Sequence, residues 1–291
     1  MNISQLQILA AIVDTGSFTQ AGALLDRTQS GISHSLSALE KELGASLLIR
    51  EQGKVILTES GEHVLAHARE IIYHFDCIFN EAEILVNLES GKIRLGCFPS
   101  ASRQVLPKIL AAFQKKHPKI EAVLFEGTDQ EVLEWLDSHV VDIAFAALPQ
   151  PLFETVPLCA DQWLAVLPAN HRFSGCSQIR IQDVAHEPFI MSKGGCEPMI
   201  LQIFKEQGCK PEVNYSIEDM TTLIAMVKEE IGWTIVPEKA LPEQLKGVVT
   251  IPLVPIVHRR IGLAVPSIKT ASPAVQAFIR EAEKIYPLPN H

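Results

Sequence analysis

Asp14-Thr15-Gly16-Ser17-Phe18-Thr19-Gln20-Ala21 and, after six residues, Thr28-Gln29-Ser30-Gly31-Ile32-Ser33-His34-Ser35-Leu36 hold two helix starts in one compact segment. Asp14-Thr15-Gly16 breaks a preceding helix whose apolar residues Leu6, Leu9, Ala10 and Val13 lie at helical spacing. Ser17 is a capping residue, and Gln20 three positions on completes the capping-box pattern. Phe18, Ala21, Leu24 and Leu25 give the second helix an apolar face, and Asp26-Arg27-Thr28 is a tight connection. A third helix is predicted over residues 29–43, stopped by Gly44. Its Ile32, Leu36, Leu39 and Leu43 share one side at 100° per residue. Ser30, His34, Ser37 and Lys41 fall on the opposite side, with Gln29 and Ser33 at its flank. Such a third helix after a tight turn is a helix-turn-helix pattern.

Working outward, residues 47–50 read as a strand, 51–54 as a turn and 55–58 as the returning strand, a hairpin wing with Arg50 and Lys54 at its sides. Residues 62–89 contain neither Pro nor Gly. Leu65, Ala68, Ile72, Phe75, Phe79, Ala82 and Val86 alternate 3-4-3-4, while Val64, Ile71, Ile78 and Leu85 recur every seven. An apolar seam about 42 Å long at 1.5 Å per residue must be covered, and pairing with its own copy does so. His63 and His67 have metal-ligand spacing on this helix, but without a third ligand in view a solvated face is expected and no metal site.

From Gly91 on, β-type runs alternate with helical ones. Strands are expected near 93–97, 122–125 and 141–146, with helices at 103–116 and 130–138 between them, an order that predicts a parallel sheet. A second set follows, with strands at 163–167, 213–217 and 233–236 and helices at 197–207 and 221–230. A strand at 261–265 and a helix at 273–286 end the chain. Two α/β lobes joined by two crossings leave a cleft, where ligands collect beyond strand ends at helix N-termini.

The 291 residues are 47% hydrophobic and 20% charged, which excludes disordered, collagenous and disulfide-scaffold classes. No apolar run is long enough to span a membrane, and the N-terminus lacks the pattern of a secretory signal, so a cytoplasmic protein is expected. Six scattered cysteines without Cys-x-x-Cys spacing fit buried thiols in a reducing compartment. The net charge of −9 speaks against nucleic acid as a partner. The balance is unfavourable locally too: residues 1–60 carry Arg27, Lys41, Arg50 and Lys54 against six carboxylates, a net of −2. Helix N-termini, however, bind phosphate without basic side chains, and Gln29 can pair bidentately with adenine.

Taken together, the quoted motifs, with Leu39-Glu40-Lys41-Glu42-Leu43-Gly44 and Leu57-Thr58-Glu59-Ser60-Gly61, resemble the LysR-type transcriptional regulators. The match is ungapped over the winged helix-turn-helix and looser over the rest, where 232–237 looks like the family's late strand. The resemblance implies α/β architecture with an N-terminal all-α winged helix-turn-helix (1–60), a long dimerisation helix (61–90) and a two-lobed, periplasmic-binding-protein-like effector domain (91–291). Lobe one would comprise about 91–161 plus 266–291, and lobe two about 162–265. It implies a ligand-responsive regulator without cofactor. Its partners would be double-stranded promoter DNA, a small-molecule effector, RNA polymerase, and its own copies as a homodimer through 62–89 and a homotetramer. By the same resemblance, Ser17 and Thr19 hold the backbone at the start of the second helix, with Phe18 between them counted in the DNA-binding set. Thr28 caps the third, Gln29 faces base edges, Ser33 touches phosphate, and Ser30 and Ser37 on the outer face complete the DNA-binding set. His34 stands where arginine is usual, and Arg50 and Lys54 serve the wing.

Four spots are expected at the cleft: Pro99-Ser100-Ala101-Ser102, Gly127-Thr128, Ser192-Lys193-Gly194-Gly195-Cys196, and Asp219-Met220-Thr221. Their hydroxyls and free N–H groups at helix starts suit a small anionic metabolite. Cys196, at a helix N-terminus beside Lys193, would have a lowered thiol pKa, and Cys209 could resolve its sulfenic acid. A thiol-based redox sensor is therefore one alternative; a winged helix that serves only protein contacts is another. An enzyme is not expected, since Gly-x-Ser-x-Gly, His-Glu-x-x-His, Walker and Gly-x-Gly-x-x-Gly patterns are missing from the sequence.

Overall fold

The structure is a computed structural model that describes residues 1–51, 54–84 and 90–287. The chain forms two compact units, an N-terminal one that runs through a long helix and also includes residues 137–140, and a C-terminal one that holds the other described residues from 90 on.

In the N-terminal unit, α1 (Ile3–Thr15), α2 (Phe18–Leu24) and α3 (Gln29–Leu43) precede a hairpin of β1 (Leu48–Glu51) and β2 (Lys54–Leu57), and α4 (Glu59–Ile84) closes it. Each start and stop has a local cause. A full capping box sits at Asn2 and Gln5, ahead of the expected one. Ser17 accepts from the Gln20 N–H, and Thr28 from that of Gly31. Gly16 and Gly44 end α1 and α3 in the left-handed conformation, at φ 62° and 70°. Ile8, Leu9, Ile12, Ile32, Leu36 and Leu39 form the core with the buried ring of Phe18. The wing is tied down by two side chains. Glu40 Oε1 accepts from the Leu47 N–H at 2.8 Å, and Thr58 Oγ1 donates to Ser46 O at 2.7 Å and accepts from the Gly61 N–H at 2.9 Å. At Gly61 a Cβ would stand 2.1 Å from Leu47 O, so glycine lets α4 leave the wing at this angle.

The long helix differs from its expected seam. Leu65 and Ala68 are buried in their own unit's core, where Val64 and Ile72 also pack, because α4 lies against α1. Arg69 pairs with Asp14 on the same side. Facing outward are Ile71 and Ile78, 46% and 65% exposed, one heptad apart. Leu85, Val86, Gln52 and Gly53 lie outside the described residues, as do the side chains of Arg50, Cys77, Phe79 and Ala82.

In the C-terminal unit, the first lobe contains β3 (Ser90–Cys97), α5 (Pro99–Gln104), α6 (Leu106–Lys116), β4 (Lys119–Glu126), α7 (Asp129–Asp137) and β5 (Ile143–Leu148). The single helix expected over 103–116 is two helices broken at Val105, just before Leu106-Pro107. As expected, β3 pairs in parallel with β4 and with β5. A long strand β6 (Glu154–Pro168) then leads to the second lobe: α8 (Ile181–Val184), β7 (Pro188–Ser192), α9 (Glu197–Glu206), β8 (Glu212–Ile217), α10 (Met220–Lys228), β9 (Thr234–Pro237) and β10 (Val248–Pro252). The chain returns through β11 (His258–Val265) to α11 (Pro273–Ile285).

One sheet runs β10-β6-β11-β5-β3-β4, with β9 also on β6. The first half of β6 pairs with β11, and its second half with β9 and β10, so this one strand serves both lobes. Period-2 alternation sends Trp163, Ala165 and Leu167 into one core of the second lobe and Leu164 and Val166 into the other. β11 had been expected in the second lobe. It lies in the first, where Ile261, Leu263 and Val265 join Phe113, Phe145 and Phe278 in the core. β7 and β10 are additional to the strands expected from the sequence.

Candidate nucleic-acid interface and ligand cavity

The outer face of α3 is open. Gln29, Ser30, His34, Ser37 and Lys41 are exposed, and Ser33 is half-buried. Thr28 is spent on capping, its Oγ1 lying 3.1 Å from Ser30 Oγ. At the start of α2, Thr19 is exposed and Ser17 half-buried. Phe18 is a correction: its ring is 8% exposed and belongs to the core, which leaves it no side-chain role at a surface. On the wing, Arg50 pairs in register with Val55, and Lys54 is exposed. Glu40 and Gly61, quoted among the motifs but given no role there, fix the wing to the helices.

The second site is a cavity of about 280 Å³ within the C-terminal unit, walled by residues of both lobes. At its base Arg259 on β11 and Asp161 on β6 form a buried bidentate pair, Nε to Oδ1 at 2.9 Å and a terminal nitrogen to Oδ2 at 2.7 Å. The same guanidinium donates to Ser100 Oγ at 3.2 Å and lies over the Phe98 ring, 5.3 Å from its centre. The pairing across two adjacent strands holds the cation rigidly, as planar bidentate geometry allows.

Of the expected effector residues, Ser100, Ser192, Gly194 and Cys196 line this cavity, as do Pro99, Asp219 and Met220 of the same stretches. The others do not. Ala101 is fully buried in the first lobe's core. Ser102 Oγ lies 3.0 Å from Pro99 O and 3.1 Å from Glu126 Oε2. Thr128 gives its N–H and hydroxyl to Glu131, at 2.7 and 2.8 Å, which holds the Glu131 carboxyl below its usual range. Lys193 is exposed, 3.9 Å from Glu197. Thr221 is exposed too, whereas Asp219 and Met220 of the same expected stretch reach the cavity. Gly195 flanks the cavity at φ +88°, where a Cβ would stand 3.4 Å from the Asp129 nitrogen on the opposite lobe. The long-range members, Arg259, Asp161, Asp129, Glu126 and Arg103, were not anticipated.

Cys196 also departs from expectation. It begins α9, yet burial pushes its thiol up to about 11, with Arg259 opposing weakly. Desolvation of the thiolate outweighs the helix end and the cation. Cys209 lies past the far end of α9, whose ten residues span about 15 Å. Its Sγ donates to Gln207 O at 3.4 Å. A disulfide needs Cα atoms within about 7 Å, so this pair could bond only if α9 unwound.

No helix among the described residues is long and apolar enough to cross a membrane. Comparison with known proteins matches residues 3–62 to the family model "Bacterial regulatory helix-turn-helix protein, lysR family" and residues 87–285 to "LysR substrate binding domain". The chain is 37% identical to the uncharacterized HTH-type transcriptional regulator YvbU of Bacillus subtilis, covering 98% of this chain and 99% of that one. It is 33% identical to the probable HTH-type transcriptional regulator LrrA of Synechococcus elongatus, over 96% and 95%. A solved full-length OxyR variant from Pseudomonas aeruginosa shares its fold, with a TM-score of 0.77 at 18% identity and coverage of 97% and 95%. With an open-faced helix-turn-helix, a wing, a long helix and a two-lobed ligand domain in one continuous match, the chain belongs to the LysR family of ligand-responsive, DNA-binding transcriptional regulators.

Proposed function

We propose that this regulator acts in the cytoplasm, docking the outer face of α3 in the major groove of promoter DNA with Lys54 of the wing on the adjacent backbone. Gln29 reads a base edge, and Ser30, His34 and Ser37 follow the groove. Ile71 and Ile78 pair α4 with a second copy, and two such dimers assemble on DNA and meet RNA polymerase. Avidity from repeated modules raises affinity by about 10²–10⁴ and offsets the scarcity of basic side chains, leaving a shallow salt slope.

The effector is a small metabolite held in the cavity, with an acidic group toward Arg103 and the start of α9. The observation that carries this reading is the buried Arg259–Asp161 pair beneath a cavity that both lobes wall. Filling it draws on both lobes at once and changes how dimers sit on DNA. Gel shifts and bending assays on the region upstream of the protein's own gene, with and without a stabilising compound, test this. Unchanged DNA bending at saturating compound would sink it. A thiol switch at Cys196, suggested by likeness to OxyR, is less well supported: a thiol with a pKa of about 11 is protonated at neutral pH.

A further inference from the structure

The cavity is walled by two guanidiniums, Arg103 and Arg259, and by four carboxylates, Glu126, Asp129, Glu218 and Asp219. Both cations are already engaged. Arg259 holds Asp161 and Ser100, and Arg103 donates its Nε–H to Pro99 O at 3.1 Å. Two of the acids have donors: Asp219 accepts from the Thr222 N–H and Oγ1, each at 2.8 Å, and Glu126 lies 3.1 Å from Ser102 Oγ. Asp129 differs. Its Oδ1 is fully buried and has no hydrogen-bond partner in the structure. Gly195 of the other lobe lies beside this carboxyl, the position of its missing Cβ standing 3.6 Å from Oδ2. A buried carboxylate oxygen without a donor is costly, and such costs gather where a ligand repays them. A simple organic acid would instead bring a fifth carboxylate into this space.

We infer that the effector is a small zwitterion of amino-acid size whose protonated primary amine donates to Asp129 beside Gly195. The assignment rests on the cavity being the effector site, and it adds to the acidic group already placed there. Charge-assisted N–H donation is about twice as strong as a neutral hydrogen bond, and the surplus of carboxylates favours a cation at that end. The volume of about 280 Å³ is below the usual range for drug-sized ligands, about 300–1,000 Å³, and suits a metabolite.

The test is a thermal-shift screen of the full chain with the standard amino acids, their 2-hydroxy-acid counterparts and their decarboxylated amines, followed by calorimetry on hits. An amino acid is expected to bind, its hydroxy acid to bind roughly 10- to 150-fold more weakly, and Asp129→Asn to erase that preference while keeping the wild-type circular dichroism. A hydroxy acid that binds equally well, or a preference that survives Asp129→Asn, overturns the amine while leaving the effector site standing. A screen with no amine-bearing hit also overturns it. A hit unaffected by both Asp129→Asn and the cavity-plugging Met220→Trp lies elsewhere and overturns the effector-site reading itself.

Discussion

Asp129→Asn should stabilise the unliganded C-terminal unit. Burial lifts the Asp129 carboxyl from its ordinary 3.8 to about 6, with Arg259 pulling the other way. At about 1.36 kcal/mol per pH unit, that gap puts a ceiling of roughly 3 kcal/mol on the cost of keeping the group ionised at neutral pH. The sign follows from proton counting. Between about pH 4 and 6 the native state binds more protons than the unfolded one, so stability falls as pH rises through that window and stays low above it. Asparagine has no proton to lose, and its amide adds a donor whose burial costs about 1 kcal/mol or more, leaving a net gain of about 1–2 kcal/mol. Trp135, Trp163 and Trp233 all lie in the C-terminal unit, so tryptophan fluorescence during urea unfolding reports on that unit alone. Wild type and variant are compared at about pH 4.5 and 7.5. The variant's advantage should appear at the higher pH and shrink at the lower. Parallel stabilities at both would refute the desolvated carboxylate.

Arg259→Ala leaves Asp161 buried without its cation and should lower stability by roughly 3–5 kcal/mol, read from the urea midpoint; Arg259→Lys, lacking the planar fork, recovers only part of it. Gly61→Ala drives a Cβ toward Leu47 O and should cost about 1–3 kcal/mol of N-terminal stability, visible in circular dichroism melts while tryptophan fluorescence is unchanged. Gln29→Ala should relax discrimination at one base pair by about 1–3 kcal/mol, whereas Lys54→Ala should weaken all DNA evenly and reduce the salt slope by about 1; both are read by titration at several salt concentrations. Ile71→Asp with Ile78→Asp puts charge on the outward side of α4 and should yield protomers in sedimentation velocity, with folding retained.

Much of the N-terminal unit was legible because its determinants are local. Ser17, Thr28 and Gly44 act within three or four residues of themselves, and the apolar spacing of α3 alone predicts that Ser30, His34 and Ser37 face outward. Phe18 misled because its neighbours at a helix start are surface residues while its own ring is a core anchor. In the C-terminal unit, β6 was read as starting at Trp163, since Pro157, Asp161 and Gln162 resemble a loop. Asp161 is tolerated inside the strand only because Arg259, 98 positions later, meets it. The cavity was half legible for the same reason. Ser100, Ser192 and Cys196 follow buried strands, a local sign, whereas Asp129 beside Gly195 is a meeting of distant segments with no periodicity to announce it. Cys196 was misjudged because helix position is visible in a sequence and desolvation is not.

The sharing of β6 between the lobes limits how a signal can leave the cavity. Two bodies on a loose tether can swing freely, but these hang on one continuous strand, Glu154–Pro168, paired along both halves with one irregularity of register opposite Ile261 and Gly262. Opening widely would tear that ladder, so under the proposed function the arrival of a ligand is expressed as a slight torsion of a common spine. A torsion of that kind displaces little at the spine itself and most at the distant rim of each lobe, so the mechanical output is largest far from the molecule that caused it.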